Sequence, residues 1–199
     1  MTGHGDYIRA GAASPASQDL WATGSYDHAV KLWDVRSGDC SMTLDHGAPV
    51  EDVVFLPSGT LAVSAGGNYL CVWDILGGGR LLRRLENHQK TVTSARVVAH
   101  AGSSVEPGAR LVTGSLDGHV KVYSLDDFRV THASRYPAPV LSVGVAPDST
   151  SMAVGLADGK GAPAARPTLR STRSRPLLPS RRSPVCTQAC KGGRQAGHG

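Results

Sequence analysis

A histidine, a hydroxyl, an acid and an aromatic side chain recur at matched places along this 199-residue sequence. His4, Thr23, Asp27 and Trp33 make the first set, His46, Ser64 and Trp73 the second, and His88, Thr113, Asp117 and Tyr123 the third. One set alone holds the ingredients of a catalytic constellation, in which an imidazole oriented by an acid takes a proton from a hydroxyl. Repetition points elsewhere, because an active site is needed once and a structural bolt is needed in every unit. The expected arrangement is a chain of hydrogen bonds. The indole N–H donates to the hydroxyl, the hydroxyl meets one imidazole nitrogen, and the acid holds the proton of the other. Such a network satisfies groups that would otherwise cost roughly 1 to 3 kcal/mol each when buried. In the second set the turn "GGNY" is one residue shorter and lacks the acid, and in the third Tyr123 stands where tryptophan is expected.

The elements that must hold these groups follow from the period. "LWATGSYDHAVKLWDV" from Leu20, "LAVSAGGNYLCVWDI" from Leu61 and "LVTGSLDGHVKVYSL" from Leu111 align. Trp33 and Trp73 lie 40 residues apart, a spacing expected of four-stranded blades. The 50 residues from Trp73 to Tyr123 include "AHAGSSVEPGAR", a Gly/Ser/Pro loop signal that absorbs the excess. Each unit opens with a histidine four residues before a β-branched position: His4 before Ile8, His46 before Val50, His88 before Val92. A first strand such as "VEDVVFL" ends at the Pro57-Ser58-Gly59 turn, and "TLAVSA" supplies a second. Tight turns bearing Asp27 or Asp117 lead into "HAVKLW" or "HVKVY" as returning third strands. The last strand is more polar, as in "LLRRLE", whose Arg83 and Arg84 suit an outer edge where charge discourages stray pairing. A fourth unit, from Tyr136 to Asp158-Gly159, is predicted to hold two strands and no third.

Charge divides the chain in two. All 16 acids and twelve of the 21 Lys/Arg precede Lys160, whereas nine Lys/Arg and no acid lie from Lys160 onward. The pI of about 9.2 therefore describes a basic tail on a mildly acidic body, and it does not make the body a nucleic-acid binder. The tail, residues 160–199, is rich in Arg, Pro, Ser and Gly and is expected to be disordered. Its abrupt start inside a repeat unit suggests sequence foreign to the pattern that precedes it. Its arginines otherwise offer a nucleolar-retention or RNA-backbone segment. Cys186, Cys190 and His198 lack a proper fourth zinc ligand, so a free thiol pair is expected. With Cys40 and Cys71 far apart in the body, reduced cysteines are expected throughout. The N-terminus has no apolar leader and no run approaches membrane-crossing length, which predicts a soluble protein of cytosol or nucleus.

With the Trp33-Asp34 and Trp73-Asp74 pairs in place, residues 1–159 resemble WD-repeat propellers. Particular wording narrows the likeness: "TGSYDHAVKLWD", "HGAPVEDVVFLPSG", "VSAGGNYLCVWDILGGG", "NHQKTVT" and "TGSLDGHVKVYS". The Ser64-Ala65-Gly66-Gly67 turn, the Gly77-Gly78-Gly79 connection and the His88 to Thr93 stretch are idiosyncratic. Together they are similar to the U-three small nucleolar RNA-associated protein fifteen family. The resemblance implies a non-catalytic scaffold in the nucleolar small-subunit processome, supporting pre-rRNA processing toward 18S rRNA and transcription of ribosomal DNA. It implies propeller and helical protein partners, indirect contact with pre-rRNA or U3 small nucleolar RNA, and neither a membrane, a small-molecule substrate, a cofactor nor a metal. Family members resemble a seven-bladed propeller followed by a helical domain, so this chain looks truncated at both ends.

The expected fold is thus all-β: a partial WD-repeat β-propeller with blades at about 3–45, 46–87 and 88–131, a half-blade at 132–159, and the tail beyond. An open arc would leave apolar faces uncovered, so the chain is expected to aggregate or to depend on a partner. Trp33, Asp34 and Arg36 also match a Trp-Asp-x-Arg pattern resembling the adaptor-docking motif of cullin ubiquitin-ligase receptors, which supplies the alternative function.

Overall fold

The computed structural model describes residues 3–98, 109–146, 151–159 and 161–164. The first sheet is an antiparallel meander of β1 (Ile8–Ala13), β2 (Leu20–Ser25), β3 (Ala29–Asp34) and β4 (Cys40–Asp45). The second contains β5 (Val50–Phe55), β6 (Leu61–Gly66), β7 (Tyr69–Asp74) and β8 (Arg80–Leu85). The third contains β9 (Val92–Val98), β10 (Arg110–Ser115), β11 (His119–Ser124) and β12 (Val130–Arg135). In the fourth, β13 (Val140–Val145), β14 (Met152–Leu156) and β15 (Gly161–Ala164) are paired in that order. Among the described residues no helix is long and apolar enough to cross a membrane.

The sheets stack face to face, with the first strand of each against the first strand of the next. Ala22, Val30, Leu32 and Leu44 pack on Val50, Val53, Tyr69 and Trp73 between the first and second sheets. Val63, Leu70 and Val72 meet Val92, Leu111 and Tyr123 between the second and third. Val112, Val120 and Val122 meet Val140, Val143 and Val154 between the third and fourth. A sheet buried on both faces needs apolar residues at successive positions, not alternate ones. This explains "LAVSAG" in β6, buried at every residue after Leu61, and "YLCVWD" in β7, buried up to Trp73.

The pairing is regular enough to position side chains. Each first strand carries a register shift near its start, between Ile8 and Ala10, Val50 and Asp52, and Val140 and Ser142, and opposite Gly114–Ser115 for β9. One extra residue there re-aims the strand as it leaves the loop.

The fourth unit departs from expectation. A third strand, β15, is present and pairs with β14 through Met152↔Ala164, Ala153↔Pro163, Val154↔Ala162 and Gly155↔Gly161. The physical reason is the hairpin. Gly159 adopts φ 75°, as Gly118 does at 77° in the third sheet, and turns the chain back along the open backbone row of β14. Pro163 lacks an N–H, which an outermost strand tolerates. The rest of the expected disordered tail, residues 160 and 165–199, lies outside the described residues.

Candidate functional site

In the first sheet the four groups of the first set come together. The Trp33 indole N–H donates to Thr23 Oγ1 at 2.7 Å. Thr23 Oγ1 lies 2.7 Å from His4 Nε2, and His4 Nδ1 lies 2.8 Å from Asp27 Oδ2. One set of protons satisfies every contact: indole to hydroxyl, hydroxyl to Nε2, Nδ1–H to carboxylate. Asp27 also accepts from the backbone N–H groups of Gly5 and Ala29. Burial pushes its pKa up, but those N–H groups and His4 outweigh it and hold the carboxyl down at about 2.

The third sheet repeats the lower part of this chain. His88 Nδ1 lies 3.0 Å from Asp117 Oδ2, and His88 Nε2 lies 2.8 Å from Thr113 Oγ1. Asp117 accepts from the N–H groups of Gln89 and His119 and is likewise held at about 2 against the upward push of burial. Burial lowers the pKa of His88 despite Asp117 beside it. Tyr123 does not complete the set. Its hydroxyl is buried without a hydrogen bond among the described residues. Its pKa is pushed up to about 12 by burial, with Thr113 nearby offsetting part of the rise.

The second sheet keeps the upper part and rebuilds the lower. The Trp73 N–H donates to Ser64 Oγ at 2.8 Å, and Ser64 Oγ lies 2.8 Å from His46 Nδ1. The imidazole is turned relative to the other two, and its Nε2 faces the Gly66 carbonyl at 3.3 Å. Burial lowers the His46 pKa to about 4, so the ring is neutral. The missing acid is replaced by Tyr69, stacked on His46 with ring centroids 4.8 Å apart. Above that ring lies the Arg84 guanidinium, 3.6 Å from its centroid. Tyr69 and Arg84 were not among the expected site residues, and the only signal for them was the aromatic that follows the shortened turn.

Two further residues escaped the sequence reading. Ser25 and Ser115, both fully buried, accept from the N–H of Asp27 and Asp117 and donate to the carbonyls of Asp6 and Lys90. They clamp each acidic turn to the loop that carries the histidine. The Gly-Ser-x-Asp wording contains them, but the serine's role needs the loop geometry. His28, at φ 71°, occupies the left-handed position that Gly118 fills in the third sheet.

What this arrangement can do chemically is limited by access. Ser64 and Thr113 are fully buried, and Trp33 is 2% exposed. Thr23 is half-buried, and all three hydroxyls are hydrogen-bonded to the histidine of their own set. Asp34 accepts from the Arg36 backbone N–H in its own turn. The Arg36 guanidinium is 78% exposed and 3.9 Å from Asp19. Of Trp33, Asp34 and Arg36, therefore, only Arg36 presents its working group outward. Among the described residues no group of three or more potential metal ligands is found. Cys186, Cys190 and His198 lie outside them.

Stacked antiparallel meanders, locked in the first two sheets by a histidine–hydroxyl–tryptophan chain and in the third by its histidine–hydroxyl part, define blades of a β-propeller of the WD-repeat class. The WD domain, G-beta repeat family matches residues 1–34, 38–74 and 79–124, and the chain belongs to that family. Its curated relatives include the U3 small nucleolar RNA-associated protein 15 homolog of Xenopus tropicalis, 50% identical over 156 residues, which cover 78% of this chain and 29% of the relative. The Homo sapiens homolog of the same name is 43% identical over 189 residues, covering 95% and 35%. Protein SLOW WALKER 1 of Arabidopsis thaliana is 44% identical over 161 residues, covering 80% and 30%. The chain spans about a third of the length of these relatives.

Proposed function

We propose that this chain acts as a non-catalytic scaffold in ribosome biogenesis, within the small-subunit processome of the nucleolus. There it supports maturation of pre-rRNA toward 18S rRNA and transcription of ribosomal DNA. The observation that carries the reading is identity of 43 to 50% with proteins named for association with U3 small nucleolar RNA. The geometry supports a scaffold, because the histidine–hydroxyl sets that recur among the described residues are consumed in fastening strands and turns. Partners are other propeller and helical subunits, and contact with RNA is indirect. The excess of acids before Lys160 repels phosphate and favours protein contacts over the RNA backbone.

The test is affinity purification of the tagged chain from nuclear extract, with hybridisation for U3 small nucleolar RNA and pre-rRNA in the eluate. Enrichment of both, together with nucleolar proteins, is expected. The exposed Arg36 favours a second reading, substrate receptor of a cullin ubiquitin ligase. Recovery of a cullin adaptor without U3 RNA, lost on Arg36→Ala, would establish that reading and overturn the first.

A further inference from the structure

Strand β8 reads Arg-Leu-Leu-Arg-Arg-Leu, and all of it is exposed except Leu85. It is the outermost strand of the second sheet, so one row of its backbone groups pairs with β7 and the other faces outward. No described residue pairs with that outer row. The strands at the same place in the neighbouring sheets differ in character. β4 carries no cation, and β12 carries Arg135 as its only arginine or lysine. Arginines on an edge guard against pairing with other edges. That role does not account for Leu81 and Leu82, which are 45% and 39% exposed. Leu82 is the extra residue of a bulge, since Leu81 lies opposite Trp73 and Arg83 opposite Val72.

Two of the arginines are already held in place. Arg83 donates to the Asp127 carbonyl at 3.2 Å and lies 5.9 Å from the Phe128 ring. Arg84 lies over Tyr69 and pairs with Glu86 at 2.8 Å. Arg80 has no ion-pair partner among the described residues. The edge therefore offers a free backbone row, two exposed leucines and three arginines, of which Arg84 is paired with Glu86 and Arg80 and Arg83 are not paired with an acid among the described residues.

We propose that β8 is a docking edge for an extended acidic segment of a partner protein, which adds to the second sheet as a fifth strand. The backbone row supplies hydrogen bonds to any extended peptide, and the side chains supply selectivity. The leucines take apolar residues, and the arginines accept acidic residues while repelling basic ones. An RNA strand would meet the charge, but it has no amide to continue the ladder and no aliphatic side chain for Leu81 and Leu82. The inference does not depend on which assembly the chain joins.

The test measures fluorescence anisotropy of a labelled ten-residue peptide alternating Glu and Val, titrated with the full chain. The peptide binds, and the same peptide N-methylated at alternate residues, with its charge unchanged, binds at least about tenfold more weakly. Arg80→Glu weakens binding about fivefold, whereas Arg135→Glu on the third sheet leaves it unchanged. Melting curves matching the parent chain show that both variants are folded. Failure of the Glu-Val peptide to bind overturns the proposal, and so does equal binding of the N-methylated peptide. Displacement by oligouridylate at equal concentration would assign the edge to nucleic acid instead.

Discussion

Tyr69 lies flat against His46, with ring planes inclined by 22°, and its hydroxyl donates to the backbone carbonyl of that histidine at 2.9 Å. In the first and third blades an aspartate holds the histidine by its Nδ1. In the second, an aromatic face does the holding, and the imidazole rotates so that Nδ1 meets the serine. One structural task is thus met by charge in two blades and by stacking in another.

Tyr69→Phe removes only the hydroxyl bond and is expected to cost about 1 kcal/mol. Tyr69→Ala also removes the stack on His46 and the surface under Arg84, at a cost of about 3 to 5 kcal/mol. Urea unfolding of the two variants measures the difference. Equal losses would mean that the ring contributes nothing beyond its hydroxyl.

Tyr123→Phe is expected to leave stability unchanged or raise it by up to about 1 kcal/mol, because the buried hydroxyl has no partner. Thr113 keeps its contact with His88 in that variant. A shift of the thermal midpoint to higher or equal temperature is the expected result, and a clear fall would assign the hydroxyl a bond.

Asp52 joins the second and third blades. Its Oδ2 accepts from the Ala95 backbone N–H at 2.8 Å and from Arg96 at 2.6 Å. Asp52→Ala leaves a fully buried residue's amide without that acceptor and is expected to cost about 1 to 3 kcal/mol. Asp52→Asn retains an acceptor and loses less. Hydrogen exchange at the Ala95 amide, faster in the alanine variant, localises the effect to the blade junction.

Acid is expected to destabilise the fold in two stages. His46 falls from 6.5 to about 4 on folding, so the unfolded chain takes up a proton in that interval that the folded chain refuses. Stability is full above pH 6.5 and declines to pH 4, by roughly 3 kcal/mol from this residue. His88 shifts in the same direction and adds to the decline. Asp27 and Asp117 fall from 3.8 to about 2, so their contribution is present above pH 3.8 and is lost as pH drops toward 2. Thermal melts across this range should show both limbs, and His46→Asn should shrink the upper one to the His88 share while leaving the lower one in place.

The repeat, the strand starts and most of the hydrogen-bonded sets were legible in the sequence. Ile8, Val50 and Val92 each begin a strand four residues after a histidine, as the spacing required. The hydroxyl and the aromatic lie on adjacent antiparallel strands, and the acid lies in the hairpin between them. Local pairing alone therefore brings those three together once the register is known. Sequence by itself determined these features because each depends on contacts within one blade, repeated at a fixed period.

The remaining features depended on contacts that no period marks. Tyr123 takes the place of tryptophan in the pattern, yet its buried hydroxyl makes no hydrogen bond among the described residues. Tyr69 and Arg84 hold His46 from β7 and β8 only because those strands lie side by side. Asp52 meets Ala95 across a junction 43 residues long in sequence. β15 forms from "GAPA", a stretch with little strand character of its own, because the open edge of β14 supplies the backbone partners that its composition does not advertise. In each case the deciding partner is set by how strands and blades pack, and only the tertiary structure brings that partner within reach.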